Sequence, residues 1–229
     1  MNRVTSGVPG FDKLVNGGIP ETDLILLSGP CGSGKTIFGL TFLCSAADNS
    51  PGIYVSFEEE LSKIREDAKG FGWDVDKLEK ANKLRLLKYD PFKLQDIFEL
   101  INNNIREIDA KRVVIDSVSA LGIYVRDPPE LRRMILEISN MLRKSGCTSI
   151  LISEVLTDNN ESLSRFNVEE FVADGVVLLH NTLVSDEYRR GISIWKMRST
   201  DHSKKIHPYK ITDEGFIVYP EDAVIGRRR

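Results

Sequence analysis

The sequence predicts an α/β fold built on a mostly parallel, doubly wound sheet that gains antiparallel strands towards its C-terminus. Short, continuously apolar runs alternate with segments of helical periodicity through the first two thirds of the chain, a glycine-rich turn joins one such run to the helix after it, and closely spaced strands follow. At 229 residues, 41% apolar and 28% charged, the chain can bury one sizeable core, and residues 1–229 are expected to form one domain.

Asp23 to Ser28 is a short apolar run that breaks into Gly29 to Gly34, after which Lys35 to Ala47 lacks proline and reads as a helix. Ile53 to Phe57 is a β-branched and aromatic strand, followed by a charged helix over Glu58 to Phe71. A third strand covers Leu84 to Leu87. The next helix, Phe92 to Ile108, sets Phe92, Ile97, Leu100, Ile101, Ile105 and Ile108 along one stripe. Arg112 to Ile115 is a fourth strand, Pro129 to Lys144 a helix stopped by Ser145 and Gly146, and Thr148 to Ile152 a fifth strand. Glu154 to Glu170 is polar and irregular. Gly175 to His180, Gly191 to Trp195, Tyr209 to Thr212 and Gly215 to Tyr219 then read as strands whose connections are too short for helical crossovers, hence an antiparallel extension. Gly226 to Arg229 reads as a frayed basic tail.

Lys and Arg number 31 against 34 Asp and Glu, a net charge of -3, so no bulk basicity points to nucleic acid or an anionic membrane. Cys31, Cys44 and Cys147 are odd in number, far apart and form no CxxC, which argues against a disulfide framework or zinc ribbon and for a reducing compartment. With no apolar signal core near the N-terminus and no run long enough to span a bilayer, a cytoplasmic protein without a membrane partner is expected.

Gly29-Pro30-Cys31-Gly32-Ser33-Gly34-Lys35-Thr36 satisfies GxxxxGK[ST] in the strand-to-helix context that the motif requires. The glycines let backbone N–H groups converge on phosphate oxygens at a helix N-terminus, Lys35 neutralises β and γ oxygens, and the Thr36 hydroxyl can ligate Mg²⁺. Val113 to Asp116 places a carboxylate at the C-terminal end of a buried strand, the sheet edge at which open α/β folds bind ligands, and Asp116 is the second candidate Mg²⁺ holder. Glu58 and Glu59 follow the second strand, expected beside the phosphate-loop strand or one removed, where a carboxylate could orient and deprotonate an attacking water. Glu60 reads as a cap or surface charge. His202 and His207 have no third ligand nearby in sequence and are not read as a metal site. Trp73 and Trp195 read as core or interface packing.

Taken in order, Thr5-Ser6-Gly7, Gly10-Phe11-Asp12, Gly17-Gly18-Ile19-Pro20, the phosphate loop, Phe57-Glu58-Glu59, Phe71-Gly72-Trp73, Val113 to Ser117, Lys196 to Lys204 and Ile211 to Gly215 resemble the KaiC-like branch of RecA-type ATPases. The resemblance runs from about residue 3 to 219 and implies a RecA-like P-loop NTPase fold with ATP or ADP and Mg²⁺ as ligands. It implies that the adjacent glutamates Glu58 and Glu59 activate water, with Lys35 acting on the phosphates. It also implies a homo-oligomer, typically a hexameric ring with ATP between subunits. There Lys196 and Arg198 of a neighbour reach the γ-phosphate within the stretch Lys196-Met197-Arg198, as an arginine finger would. By the same resemblance the phosphate loop with Ile37, and Gly70 and Phe71, bind nucleotide in cis, while Thr200, His202 and Thr212 of the neighbour line ribose and base. Without it, the cations from Lys196 to Lys210 read as a solvated face.

Three positions depart from patterns seen among relatives. Glu154 follows the fifth strand where relatives carry a Gln as γ-phosphate sensor. Glu170 and Phe171 stand where a self-phosphorylating domain would carry acceptor hydroxyls, and neither can accept a phosphoryl group. Two rivals to a plain ATPase remain open: a slow nucleotide switch that signals to a protein partner, and a DNA-dependent ATPase, disfavoured by net acidity and the lack of a Gly-rich basic loop. Transfer to a hydroxyl of another protein could use the same Glu58.

Overall fold

The computed structural model describes residues 2–90, 94–125, 127–155, 162–184 and 186–222. The chain opens with β1 (Arg3–Val4), α1 (Phe11–Leu14) and β2 (Ile19–Pro20), in which the two strands form a short antiparallel pair. β3 (Leu24–Gly29) leads to α2 (Lys35–Cys44), β4 (Gly52–Ser56), α3 (Leu61–Gly70), α4 (Val75–Lys80) and β5 (Leu84–Lys88). α5 (Leu94–Ile108), β6 (Arg112–Asp116), α6 (Val118–Tyr124), α7 (Pro128–Lys144) and β7 (Thr148–Glu154) follow. The chain closes with α8 (Glu169–Val172), β8 (Gly175–Val184), β9 (Glu187–Met197), β10 (His207–Thr212) and β11 (Gly215–Val218).

Among the described residues the larger sheet has the order β11-β10-β9-β8-β3-β7-β6-β4-β5. From β8 to β5 every pairing is parallel, and from β8 outward to β11 every pairing is antiparallel. β3, β4 and β7 are buried along almost their whole length because both faces of the sheet are covered there. Ile25 and Leu27 of β3 enter one core with α2 and α3, whereas Leu24 and Leu26 enter the other with α5 and α7. Each such fully buried aliphatic side chain contributes about 1.5–3 kcal/mol, which holds the central strand rigid where it releases the phosphate loop.

Several expectations are corrected. β4 is neither beside β3 nor one strand removed, since β7 and β6 lie between them; the doubly wound connection through α2 carries the chain past both. The antiparallel extension starts one strand later than expected, because β8 runs parallel to β3 with Gly175 opposite Ile25. Asp174 fixes that entry, its backbone N–H donating to Leu24 O at 2.8 Å and its Oδ2 accepting from Leu24 N–H at 3.1 Å. β8 and β9 continue to the pair Val184 and Glu187, a longer hairpin than the apolar stretches suggested, because Glu187, Arg189 and Arg190 interrupt the apolar pattern of β9. The helix expected from Glu58 begins at Leu61, which leaves Glu58 and Glu59 in the turn before it. Leu100 is 43% exposed and so falls off the stripe formed by Ile97, Ile101, Ile105 and Ile108. The expected position Phe92 and the basic tail Gly226 to Arg229 lie outside the described residues. α4 had no periodicity to betray it over six residues; its Asp74 cap accepts from Lys77 N–H at 3.0 Å. No described helix is long and apolar enough to cross a membrane.

Candidate active site

The phosphate loop leaves β3 at the C-terminal edge of the parallel strands and enters α2. Gly32 and Gly34 have φ of +73° and +86°, the left-handed region that a side chain resists, and Gly34 also lies against Ile211, whose Cδ1 would be 2.5 Å from an added Cβ. β10 pins the loop from outside, the Tyr209 hydroxyl donating to Ser33 O at 2.6 Å. Lys35 Nζ donates to Gly29 O at 3.0 Å and Pro30 O at 2.9 Å. Burial pushes the Lys35 pKa down, opposed by the carboxylates of Glu154, Asp116 and Glu58 and by Cys31. The buried Ser33 hydroxyl has no protein partner among the described residues. A desolvated ammonium held by neutral carbonyls, an orphan hydroxyl and glycine backbone at a helix N-terminus together fit a phosphate chain.

The Thr36 hydroxyl donates to Asp116 Oδ2 at 2.9 Å, and the buried Tyr54 hydroxyl donates to the same oxygen. Burial raises the Asp116 pKa, while the hydrogen bonds from Tyr54 and Thr36 and the charge of Lys35 oppose that rise. Thr36 and Asp116 thus share one spot, reached from α2 and β6. Their hard oxygens suit Mg²⁺, which usually takes one or two protein ligands and leaves the rest to phosphate and water.

β4 lies next to β6, so the turn after it delivers the glutamates beside Asp116. Phe57 N–H donates to Asp116 O at 2.9 Å, and Ser56 Oγ donates to Glu59 O at 2.8 Å, which ties the turn down. Burial raises the Glu58 pKa first, and the charges of Glu154, Asp116 and Glu59 raise it further. Glu59 is raised by burial, then by Asp116 and Asp67. Glu154 stands opposite Gly29 in the sheet register, and its N–H donates to Ser119 Oγ at 2.9 Å. Glu60 lies apart on the surface in an ion pair with Lys88 and makes no side-chain cap.

The remaining positions divide into two groups. Phe71 packs on Trp73 with ring centroids 5.7 Å apart, and Trp73 lies against the turn at Gly215, which also meets Thr41 of α2. Gly70 and Phe71 therefore gather near α2, and so does Thr212, whose neighbour Ile211 touches Gly34 of its own chain. Thr212 is thereby separated from Thr200 and His202, with which it was expected. Ile37 packs partly buried against the core. Lys196 and Arg198 lie at the other end of the strands. Met197 stands opposite Gly175, which stands opposite Ile25, and the four residue steps from Ile25 to Gly29 span roughly 13 Å. Thr200 Oγ1 accepts from Arg3 Nη2 at 3.0 Å, and His202 is buried with Nδ1 2.9 Å from Ser203 O. Met197 buries its side chain in the core, so only its backbone could face a ligand. Trp195 is 62% exposed and is not a core residue.

Two site residues escaped sequence reasoning. Tyr54 reads as one more core aromatic in an apolar strand, and nothing in its neighbours signals the carboxylate across the sheet. Arg190 donates from Nη2 to Gly32 O at 3.5 Å, brought to the loop by the length of β9. Its signal, two adjacent arginines on a polar strand, is indistinguishable from an ordinary exposed edge.

A family model described as "ATPase: KaiC" matches residues 4–223. The chain belongs to the KaiC-like ATPases. It is 39% identical to a UPF0273 protein of Pyrococcus furiosus over 100% of this chain and 98% of that one. It is also 37% identical to the circadian clock oscillator protein KaiC of Prochlorococcus marinus, over 96% of this chain but 45% of that longer one. The crystal structure of a KaiC-like protein from Pyrococcus horikoshii superimposes with a TM-score of 0.88 at 37% identity, covering 96% of this chain and 99% of that chain. The KaiC-like membership and the shared fold make the chain an ATP-binding, RecA-like ATPase.

Proposed function

We propose that this KaiC-like chain hydrolyses ATP to ADP and phosphate with Mg²⁺, in a homo-oligomeric ring, with six subunits as the expected number and a nucleotide between neighbours. The observation that carries the catalytic half is the convergence of Lys35, the Thr36–Asp116 pair and Glu58 at one sheet edge. Lys35 and the loop amides bind the phosphates. Thr36 and Asp116 are the residues that would hold Mg²⁺, and the chemistry that ion supplies when bound is neutralisation of β and γ oxygens. Glu58, its proton affinity raised by burial and by neighbouring carboxylates, takes the proton of the attacking water at its carboxylate oxygen, and Glu59 orients that water.

Support for the interface half comes from distance. Lys196 and Arg198 sit at the opposite edge of the sheet from their own phosphate loop, so a phosphate they touch belongs to another subunit. The cis nucleotide contacts are Gly29 to Ile37, Gly70, Phe71 and Thr212; the trans contacts are Lys196, the Met197 backbone, Arg198, Thr200 and His202. A switch that signals to a protein partner would use the same residues, and the cytoplasm is the proposed compartment.

The test is complementation. Glu58→Gln alone, and Lys196→Ala with Arg198→Ala, should each lower turnover at least ~100-fold without losing nucleotide binding. Mixed together they should regain activity, because an intact Glu58 then meets an intact pair across some interfaces. Absence of recovery despite subunit exchange refutes the trans assignment, and wild-type turnover in Glu58→Gln removes Glu58 from the chemistry.

A further inference from the structure

Lys196 and Arg198 are mounted on one short segment of their own chain. Lys196 Nζ donates to Glu170 O at 3.0 Å. Arg198 Nη1 donates to Asp174 Oδ1 at 3.3 Å, and the Arg198 backbone N–H donates to Asp174 O at 3.1 Å. The side chain of Asp174 is only 4% exposed, whereas that of Arg198 is 60% exposed. A carboxylate so buried costs free energy unless it is paired, and its other oxygen takes the N–H of Leu24 at 3.1 Å and Nη2 of Arg143 at 2.6 Å. Leu24 opens β3, the strand that ends in the phosphate loop. One buried group therefore ties Arg198 to the rigid centre of the sheet while its outer part remains in solvent, and Lys196 is held separately by Glu170 O.

We propose that Asp174 is the positioning residue for Arg198: it grips Arg198 through Nη1 so that the rest of the guanidinium arrives already oriented at the nucleotide of the next subunit, with Arg143 balancing the charge from behind. The inference rests on the trans reading above. An arginine on an exposed strand end has many rotamers, and ordering it before phosphate arrives removes that cost from the transition state. The Asp174 side chain is buried behind Arg198, so its effect on a neighbour's nucleotide passes through Arg198.

In the full-length chain, Asp174→Asn keeps an acceptor for Leu24 N–H and removes the charge that grips Arg198. The expected result is a kcat lowered about tenfold or more, with the nucleotide KM and the mass of the assembly unchanged. A purely structural fault would stay with every site that contains the variant subunit. A positioning fault travels with the donated pair, so mixing Asp174→Asn with Glu58→Gln should recover on the order of a quarter of wild-type turnover, the share of head-to-tail interfaces with both halves intact. Asp174→Glu, which keeps the charge for folding but shifts its oxygens by one methylene, is measured alongside and should show the same trans recovery if the asparagine variant does not fold. No recovery in either mixture, with recovery in the Lys196→Ala, Arg198→Ala mixture, overturns the positioning role and leaves the trans reading standing. Wild-type turnover in Asp174→Asn also overturns it. Wild-type turnover in the Lys196→Ala, Arg198→Ala variant itself instead removes the reading on which it rests.

Discussion

Lys35 and Asp23 are both charges taken partly out of water, and they answer to opposite needs. Lys35 rests on two carbonyls within reach of Glu154 and Asp116, a placement that a bound phosphate rewards. Asp23, just before β3 and so at the far end of the strand that leads into the phosphate loop, has no such reward. Its pKa is pushed up to about 6, by burial first and by Asp174 second, against Arg143, Arg198 and Arg3, and its Oδ2 lacks a hydrogen-bond partner among the described residues. Because the folded state binds this proton more tightly than the unfolded chain, stability contributed by protonation is full below about pH 4 and lost as pH rises to about 6. Asp23→Asn should therefore raise the melting temperature at pH 7.5 by roughly 2–4 °C, about 1 kcal/mol after allowing for solvent screening of a partly exposed group. The gain should vanish near pH 4. Circular-dichroism melts across that range check it, and a variant melting below wild type at pH 7.5 would sink the account.

At the scale of elements, the phosphate loop is shaped by its glycines and by the strand that crosses outside it. Gly34 is the case where both act, through a φ of +86° and a close approach of Ile211. Gly34→Ala should weaken nucleotide binding by about tenfold or more, since an L residue in the left-handed region costs roughly 1–2 kcal/mol and relaxes by turning loop amides away. Adding Ile211→Ala removes the contact but not the backbone cost, so the double variant should bind no better. Titration with a fluorescent ATP analogue reads this directly, and restored affinity in the double variant would assign the effect to crowding alone. The loop and α2 were legible in the sequence because a glycine motif between an apolar run and a proline-free helix is a local pattern. The turn holding Glu58 and Glu59 was legible in composition but not in extent; the charged periodicity ran straight through it, and only tertiary anchoring by Ser56 Oγ and Asp116 O ends the strand where it does.

For the whole molecule, the proposed trans role of Lys196 and Arg198, which lie away from their own phosphate loop, predicts that activity is a property of assembly. Light scattering on size-separated fractions, with and without Mg²⁺-ATP, should find phosphate release confined to a nucleotide-stabilised ring of six. An active monomer would contradict the trans arrangement while leaving the cradle of Lys35, Thr36 and Asp116 intact.

The sequence by itself determined the alternation of strands and helices, the phosphate loop, and the residue types at Asp116 and Glu58, because each is encoded within a few consecutive positions. Tertiary structure alone decided that two strands separate β4 from β3, that Tyr54 reaches Asp116 and Arg190 reaches Gly32, that Ile211 packs on the phosphate loop of its own chain, and that Asp174 grips Arg198. These are contacts between distant parts of the chain, set by strand order and register, and a local pattern of side chains carries no record of which strand will lie beside which.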